Sequence, residues 1–236
     1  YLLALLLVLP SIAFSSNLDN FYITAKGGIS NTSNTGTTNQ ADDRGDSGTY
    51  ENEDLGAGTA FGFSMGKYLA DSFRLELEAT KRTGYEFDAR DTDRSFGLDH
   101  REKAKLQTEA LFINGFYDFQ SFIMSNTAIT PYLGGGVGIS RNKMGTVVLH
   151  VNGVPNGVTT NGDNTNQFAY KLCAGILVSL TKQLSLDVNY QYVDLGAFNG
   201  GTERINTDET TSIYQRGLNG GDIKTHELMV GLQYKF

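Results

Sequence analysis

The chain has no tryptophan, one cysteine, three prolines and no apolar run of about 18 residues, and these shortages exclude several classes of protein. Because Cys173 has no second cysteine to pair with, an internal disulfide is excluded. Its position well inside the chain also excludes a lipid-anchor cysteine at a signal cleavage site. Without a long apolar run there is no candidate for a membrane-spanning helix. Three prolines against 28 glycines favour strands, since proline removes a donor from the ladder of a sheet.

Positive charge is also scarce, because the formal net charge is −7 at pH 7. Between Gly36 and Gly58 there is one base, Arg44, against six acids: Asp42, Asp43, Asp46, Glu51, Glu53 and Asp54. A nucleic-acid backbone needs a positive protein surface, so we expect no nucleic acid as a partner.

What the chain does contain is a recurring alternation of apolar and polar residues. In residues 73–80 four apolar side chains alternate with four polar or charged ones, in the order FRLELEAT. Successive side chains of a strand point to opposite faces, so one face here is apolar and the other polar. The pattern predicts eight strands of about ten residues, the length that a tilted strand needs to cross a bilayer. They lie at residues 21–29, 60–69, 73–80, 106–117, 132–140, 168–180, 185–194 and 224–236.

The connections between these strands alternate in length. Residues 68–72, 118–129 and 181–184 form shorter connections, whereas residues 30–58, 84–103, 141–166 and 196–223 form long ones. Outer-membrane barrels have an even number of antiparallel strands, with short periplasmic turns and long outer loops. A soluble sandwich gives no reason for this segregation. The sequence therefore predicts an all-β protein, an eight-stranded antiparallel up-and-down transmembrane β-barrel with four long extracellular loops.

The first residues have the character of a targeting segment. Residues 2–9 form a short apolar run, and Ala13 and Ser15 follow as small residues suited to a cleavage site. We expect residues 1–15 to be a signal peptide whose basic n-region is missing, and residues 16–236 to be the outer-membrane β-barrel domain.

Three segments resemble a known group of proteins: TPYLGGGVGIS at residues 130–140, LDVNYQYVDLG at residues 186–196, and HELMVGLQYKF at residues 226–236. Together they are similar to the eight-stranded outer-membrane β-barrel superfamily, which holds the OmpA and OmpX barrels, the opacity proteins and related surface antigens. The resemblance implies the outer membrane of a Gram-negative bacterium. It also implies that Phe236, with Tyr234, is the signal read by the outer-membrane assembly machinery. Adhesins, surface antigens, small pores and structural proteins share this fold, so fold alone leaves the function open.

The polar faces of the predicted strands should line a narrow interior. Eight strands enclose a space just wide enough for side chains to fill, and unpaired charges there would be costly. We therefore expect a polar network that plugs the lumen, with a gated or narrow pore as the alternative. Its members are Lys26, Arg74, Glu76, Glu78, Arg82, Lys171, Asp187, Asn189, Gln191, Glu227 and Lys235.

Aromatic residues near the strand ends or on the outward faces are expected to anchor the barrel at the two bilayer surfaces. They are Phe21, Tyr68, Phe73, Tyr117, Tyr132, Tyr190, Tyr192, Tyr234 and Phe236.

No set of residues predicts catalysis or a metal. None of His100, His150 and His226 is followed two residues later by serine, and no nucleophile, base and orienting group can be recognised together. Three aspartates at positions 88, 91 and 93 fall short of the six to eight oxygens that calcium takes. We expect no enzyme activity, metal or cofactor.

The sequence thus favours an outer-membrane surface protein of the adhesin or surface-antigen type that acts through its four long loops. A small porin-like channel and a purely structural outer-membrane protein are the alternatives. The expected partners are outer-membrane lipid, the assembly machinery and a host-surface or matrix protein, and we expect the chain to be a monomer.

Overall fold

The structure, a computed structural model, describes residues 19–33, 35, 50–91, 98–213 and 217–236. The expected signal peptide, the acids at positions 42, 43 and 46, and Asp93 lie outside these residues. Within the described part of the chain all regular structure is β-strand. No helix there is both long enough and apolar enough to cross a bilayer.

Eight of the strands are long and six are short. In chain order they are β1 Phe21–Thr32, β2 Tyr50–Asp54, β3 Ala57–Ala70, β4 Phe73–Asp91, β5 His100–Asp118, β6 Phe122–Met124, β7 Thr127–Met144, β8 Val147–Val151, β9 Val154–Thr160, β10 Asp163–Ser179, β11 Leu184–Asn199, β12 Glu203–Ile205, β13 Thr211–Ile213 and β14 Asn219–Lys235.

The eight long strands close into a ring. Each pairs antiparallel with the next, in the order β1, β3, β4, β5, β7, β10, β11 and β14. The ring closes because β14 pairs with β1, from Tyr22 opposite Lys235 to Thr32 opposite Thr225. Closure leaves no edge strand in the ring, so the backbone groups of the wall bond to one another. The predicted eight-stranded antiparallel barrel is confirmed.

The outside of this ring carries an apolar belt. Each long strand exposes large apolar side chains at alternate positions, while the intervening side chains are buried inside. One example from each strand, exposed by 40% to 62%, is Ile29, Phe63, Leu75, Ile113, Val137, Leu172, Tyr190 and Val230. An exposed apolar band around a closed barrel is the surface that faces lipid in outer-membrane proteins.

The strands are longer than the sequence predicted. The prediction of about ten residues was wrong, because they run from 12 residues in β1 to 19 in β4 and β5. Much of each segment predicted as loop at residues 84–103, 141–166 and 196–223 is therefore strand. The physical reason is visible in β4, where Tyr85, Phe87 and Ala89 are all buried and extend the interior beyond the belt.

A β-bulge sets the direction of these three side chains. Between Arg82 and Tyr85 strand β4 carries one residue more than β5 does between Thr108 and Leu106. Gly84 takes a φ of 93° there, a conformation that suits glycine. Inward positions are even-numbered below the bulge and odd-numbered above it, so the apolar residues turn inward instead of outward.

Candidate functional site

The inward face of β4 orders the interior from bottom to top. Starting from the short turn at residues 71 and 72, its buried polar positions are Arg74, Glu76, Glu78, Thr80 and Arg82. Each pair of inward positions is about 6.6–6.8 Å apart along the strand. Successive side chains therefore lie at increasing heights in the interior.

The lowest layer is centred on Arg74. Its guanidinium contacts Asp118 through Nε at 3.0 Å and Nη2 at 2.9 Å, and Nη1 donates to Gln233 at 3.3 Å. Four aromatic rings surround the same cation at 4.7–5.7 Å from their centroids: Tyr22, Tyr68, Phe116 and Tyr132. This arrangement combines an ion pair with cation–π contacts and holds the guanidinium from several sides.

The sequence predicts a different position for two of these rings. Tyr132 was predicted to lie at the bilayer surface, but it is 4% exposed and its hydroxyl donates to Asp187 at 2.6 Å. Tyr68 lies beside Tyr22 and bonds to Gln233 at 3.2 Å. The anchoring role predicted for both residues was therefore wrong. Their hydroxyl groups bond to side chains of the barrel interior instead of to lipid headgroups.

The middle layer is centred on Glu78. This carboxylate is fully buried and contacts the ammonium groups of Lys26, at 2.7 Å, and of Lys171. Asn114 bridges the two glutamates of the layer, since its amide donates to Glu78 at 2.8 Å and to Glu76 at 3.2 Å. Two cations therefore share one carboxylate, and the neighbouring carboxylate is held by an amide and by the Tyr22 hydroxyl at 3.1 Å.

The upper layer is centred on Glu227. Arg82 reaches both oxygens of this carboxylate, with Nε at 2.5 Å and Nη2 at 3.1 Å, in a bidentate pair. Ser30, Thr225 and Gln191 donate to the same carboxylate at 2.7, 2.9 and 2.5 Å. The charge of Glu227 is thus surrounded by donors, as a charge needs when water is excluded.

The remaining predicted residues occupy two places. Asp187 and Asn189 are buried, and their side chains bond to each other at 3.3 Å. Lys235 lies at the lower edge of the lowest layer, with its ammonium 4.5 Å from the Tyr68 ring centre. It lines a cavity of about 570 Å³ at the periplasmic end, together with Asp71, Asp118 and Lys182.

Sequence reasoning missed several partners of the network. Tyr22, Asn114 and Asp118 are buried and bond to predicted members, yet they were not selected. Asn114 lies in the one predicted strand whose two faces look alike, residues 106–117, and Asp118 directly follows it. All the buried inward residues of β5, from Glu102 to Asp118, occupy even positions, and so do Asn114 and Asp118. This period of two is the sequence signal that identifies them.

An apolar cluster lies above the three polar layers, toward the outer end. It includes Phe87, Leu195, Phe198, Leu218 and Ile223, all of which have no exposed surface. Phe87 and Phe198 meet edge to face with centroids 6.0 Å apart. The interior therefore changes from polar to apolar toward the outer end of the barrel. A charged side chain in this apolar layer would be poorly solvated.

The three histidines lie apart from the layers, and His226 lies apart from His100 and His150, which are one position out of register on the paired strands β5 and β8. Nδ1 of His226 is 2.6 Å from the Tyr190 hydroxyl on the outer surface, and Nδ1 of His150 is 3.1 Å from the carbonyl of Val148. His100 is the first residue of β5. Within the described residues, no group of three or more histidine, cysteine, aspartate or glutamate side chains is placed to hold a metal ion.

An ordered sheet continues from the barrel wall on the outer side. Strand β5 pairs with β8, β8 with β9, β9 with β12, and β12 with β13. The β8–β9 hairpin turns at Asn152 and Gly153, whose φ values of 52° and 80° suit a two-residue hairpin turn. Val154, Ile205 and Ile213 are exposed on this sheet by 65%, 45% and 69%.

Charged pairs lie on the outward face of the barrel wall beneath this sheet. Asp88 of β4 accepts from Nε of Arg101 at 2.7 Å and lies 2.9 Å from Nζ of Lys103. Partial burial alone would raise the pKa of Asp88, but the hydrogen bonds and charges of Arg101 and Lys103 outweigh it and lower the pKa below its usual value. The carboxylate therefore stays ionised and pairs with the two cations at neutral pH.

Comparison with known proteins gives the same architecture. The sequence pattern described as "Outer membrane protein beta-barrel domain" matches residues 1–236. Outer membrane protein PagN of Salmonella typhimurium is 26% identical over 187 residues, which cover 77% of this chain and 73% of PagN.

Two solved structures share the fold at low identity. The outer membrane protein OprG from Pseudomonas aeruginosa has a TM-score of 0.55 at 16% identity, over 92% of this chain and 96% of OprG. The outer membrane protease OmpT from Escherichia coli has a TM-score of 0.53 at 12% identity, over 91% of this chain and 97% of OmpT. At such identities the likeness concerns the fold alone.

The upper layer gives a test of how much its buried pair stabilises the barrel. Replacing Arg82 by methionine leaves the Glu227 carboxylate buried without its cation, and we expect the free energy of unfolding to fall by about 3–5 kcal/mol. The double variant Arg82→Met, Glu227→Leu should recover at least half of that loss, because no lone charge remains. Urea unfolding of the refolded protein in detergent measures both.

The exposed pair of Arg90 and Asp99, 3.5 Å apart, provides the control. Arg90→Met should change the free energy of unfolding by less than about 1 kcal/mol. A loss for Arg82→Met no larger than that for Arg90→Met would show that the upper layer contributes little.

Proposed function

Because the chain belongs to the outer membrane protein beta-barrel domain family, we propose that it is a surface protein of the bacterial outer membrane that acts through its extracellular side, as an adhesin or surface antigen. The observation that carries the proposal is the ordered outer sheet formed by β8, β9, β12 and β13. A sheet fixed to the barrel wall through β5 presents a defined surface to another cell. Its exposed apolar side chains are of the kind that is buried in protein interfaces.

We expect the triple variant Val154→Thr, Ile205→Thr, Ile213→Thr to bind host cells at least about tenfold less than the unchanged protein. Threonine keeps the β-branched shape, so the strands persist while the apolar contact is lost, and about 1.4 kcal/mol of lost contact corresponds to that factor. The measurement is the number of bacteria retained on an epithelial monolayer when a non-adherent strain displays each variant.

Strand β6 supplies a matched control. Phe122, Ile123 and Met124 are exposed by 49%, 78% and 59% at the periplasmic end, where no host cell can reach them. Phe122→Thr, Ile123→Thr, Met124→Thr should leave adhesion unchanged. Equal losses in both triples would point to a folding defect, and no adhesion above that of empty bacteria would contradict the proposal.

We propose that the interior is closed, since three layers of bonded polar groups lie beneath an apolar cluster. A small pore remains the second candidate, favoured by the charges inside and the cavity of about 570 Å³ at the periplasmic end. We expect the folded barrel to carry no current in a planar bilayer. A discrete conductance that Arg74→Ala or Glu76→Ala alters, and that Lys224→Ala on the outer surface leaves unchanged, would make the protein a pore.

The last residues are proposed to be the signal for outer-membrane assembly. Tyr234 and Phe236 are 38% and 45% exposed at the periplasmic end, with ring centroids 5.3 Å apart. Two accessible rings on the closing strand are available to the machinery that inserts the barrel. We expect Phe236→Ser to lower the folded fraction in cells, read as heat-modifiable migration on a gel, and Leu228→Ser higher on β14 to have a smaller effect.

We also propose that the protein is not an enzyme, although OmpT shares the fold and is a protease. Among the described residues no histidine bonds to a carboxylate that could orient it as a general base. Peptide cleavage by the purified barrel that disappears in His226→Ala would contradict this.

A further inference from the structure

The outward face just above the apolar belt carries a group of cations on three neighbouring strands. The belt ends at Ala79 on β4, Leu111 on β5 and Ile139 on β7. The next outward positions are Lys81, Glu109 and Arg141, which lie opposite one another in register across the three strands. Lys143 follows on β7, opposite Gln107.

These four side chains form a compact patch. Neighbouring strands are about 4.8 Å apart and outward positions about 6.7 Å apart along a strand, so the patch is roughly 10 Å across. Nζ of Lys143 is 2.8 Å from Glu109, and Nζ of Lys81 is 3.9 Å from the same carboxylate. One carboxylate thus holds two ammonium groups near an exposed arginine, and the patch has three cations against one anion.

Further cations continue the same face outward along β5. Its outward positions Arg101, Lys103 and Lys105 adjoin Asp88 and Glu86 of β4. With the patch below, this face carries seven cations (Lys81, Arg90, Arg101, Lys103, Lys105, Arg141 and Lys143) and four carboxylates (Glu86, Asp88, Asp99 and Glu109), a balance of +3.

The adjoining and the opposite strands are different at this height. On β10, next to the patch, the outward positions are Asn164 and Asn166, and on β14, across the ring, the outward charges are Lys224 and Asp222, 3.5 Å apart. A face of charge +3 on a chain of net charge −7 is therefore confined to one side.

We propose that Lys81, Arg141 and Lys143 bind the phosphate groups of the glycolipid that forms the outer leaflet, lipopolysaccharide. A phosphorylated lipid fits because it presents two chemistries in the order found on the wall. Its acyl chains lie against Leu111 and Ile139, and its phosphates stand at the level where the apolar belt ends. Arginine bonds phosphate in a bidentate manner and lysine attracts it as a point charge. A soluble polyanion has no acyl chains to contact the apolar surface directly below the patch.

The test uses the refolded full chain in a zwitterionic detergent, titrated with diphosphorylated lipid A and with fully dephosphorylated lipid A, and binding is measured by native mass spectrometry. We expect the phosphorylated probe to bind at least tenfold more tightly. Lys81→Gln, Arg141→Gln, Lys143→Gln should remove that preference. The matched control Lys67→Gln, Lys182→Gln, Lys224→Gln makes the same change of charge elsewhere and should keep it.

Three results would overturn the proposal. Equal binding of both probes would mean that the acyl chains alone are recognised. Equal loss in the two triple variants would mean that only the net charge matters. A patch variant that loses binding of a soluble sulfated oligosaccharide but keeps that of lipid A would assign the face to a soluble ligand. Heat-modifiable migration verifies folding, and the single variant Arg141→Gln replaces the triple if the triple does not fold.

Discussion

The interior of an eight-stranded barrel is narrow, and its width determines how the inward side chains of this protein can pack. The interior of a ring of this size is just wide enough for side chains to fill, so inward polar groups bond to one another, in many cases across strands. Glu227 of β14 shows the consequence, since it is reached by Arg82 of β4, Ser30 of β1 and Gln191 of β11. Each such contact joins strands that are far apart in sequence. The polar groups that look costly to bury therefore also fix which strands face one another.

Space inside the ring is limited as well, and glycine supplies it on the inward face of β7. A Cβ at Gly136 would lie 2.0 Å from the side-chain oxygen of Asn114 and 2.8 Å from the backbone oxygen of Ile113. Asn114 can bridge Glu76 and Glu78 only because this position has no side chain. Of the GGG run at residues 134–136, Gly136 thus belongs to the packing of the middle layer, and Gly134 lies in the same way against Phe116 of the lowest layer.

The sequence alone predicts the ring and most of its buried charges, because both follow from a period of two. The same rule fails where the period is interrupted. The extra residue at Gly84 turns Tyr85, Phe87 and Ala89 inward, and without knowledge of that bulge the segment reads as loop. Pairing is equally invisible, since nothing local says that Glu78 is shared by Lys26 and Lys171. Tyr132 illustrates a third limit, because an aromatic residue with a hydroxyl suits both the bilayer surface and an interior with an acceptor such as Asp187.

Strand β5 links the barrel interior to the two features that are proposed to bind partners, the cationic face and the outer sheet. On its inward face, Asn114 belongs to the middle layer and Leu106 to the apolar cluster. Its outward face has Glu109 and, above it, the row of cations. Beyond the belt the same strand pairs with β8 and so supports the outer sheet. A strand whose side chains pack on both faces, and whose backbone is hydrogen-bonded to a neighbour on each side, bends little. A lipid bound beside Glu109 would therefore lie on the side of the barrel from which the outer sheet rises, and the proposed contact with lipid and the proposed contact with another cell would share one strand.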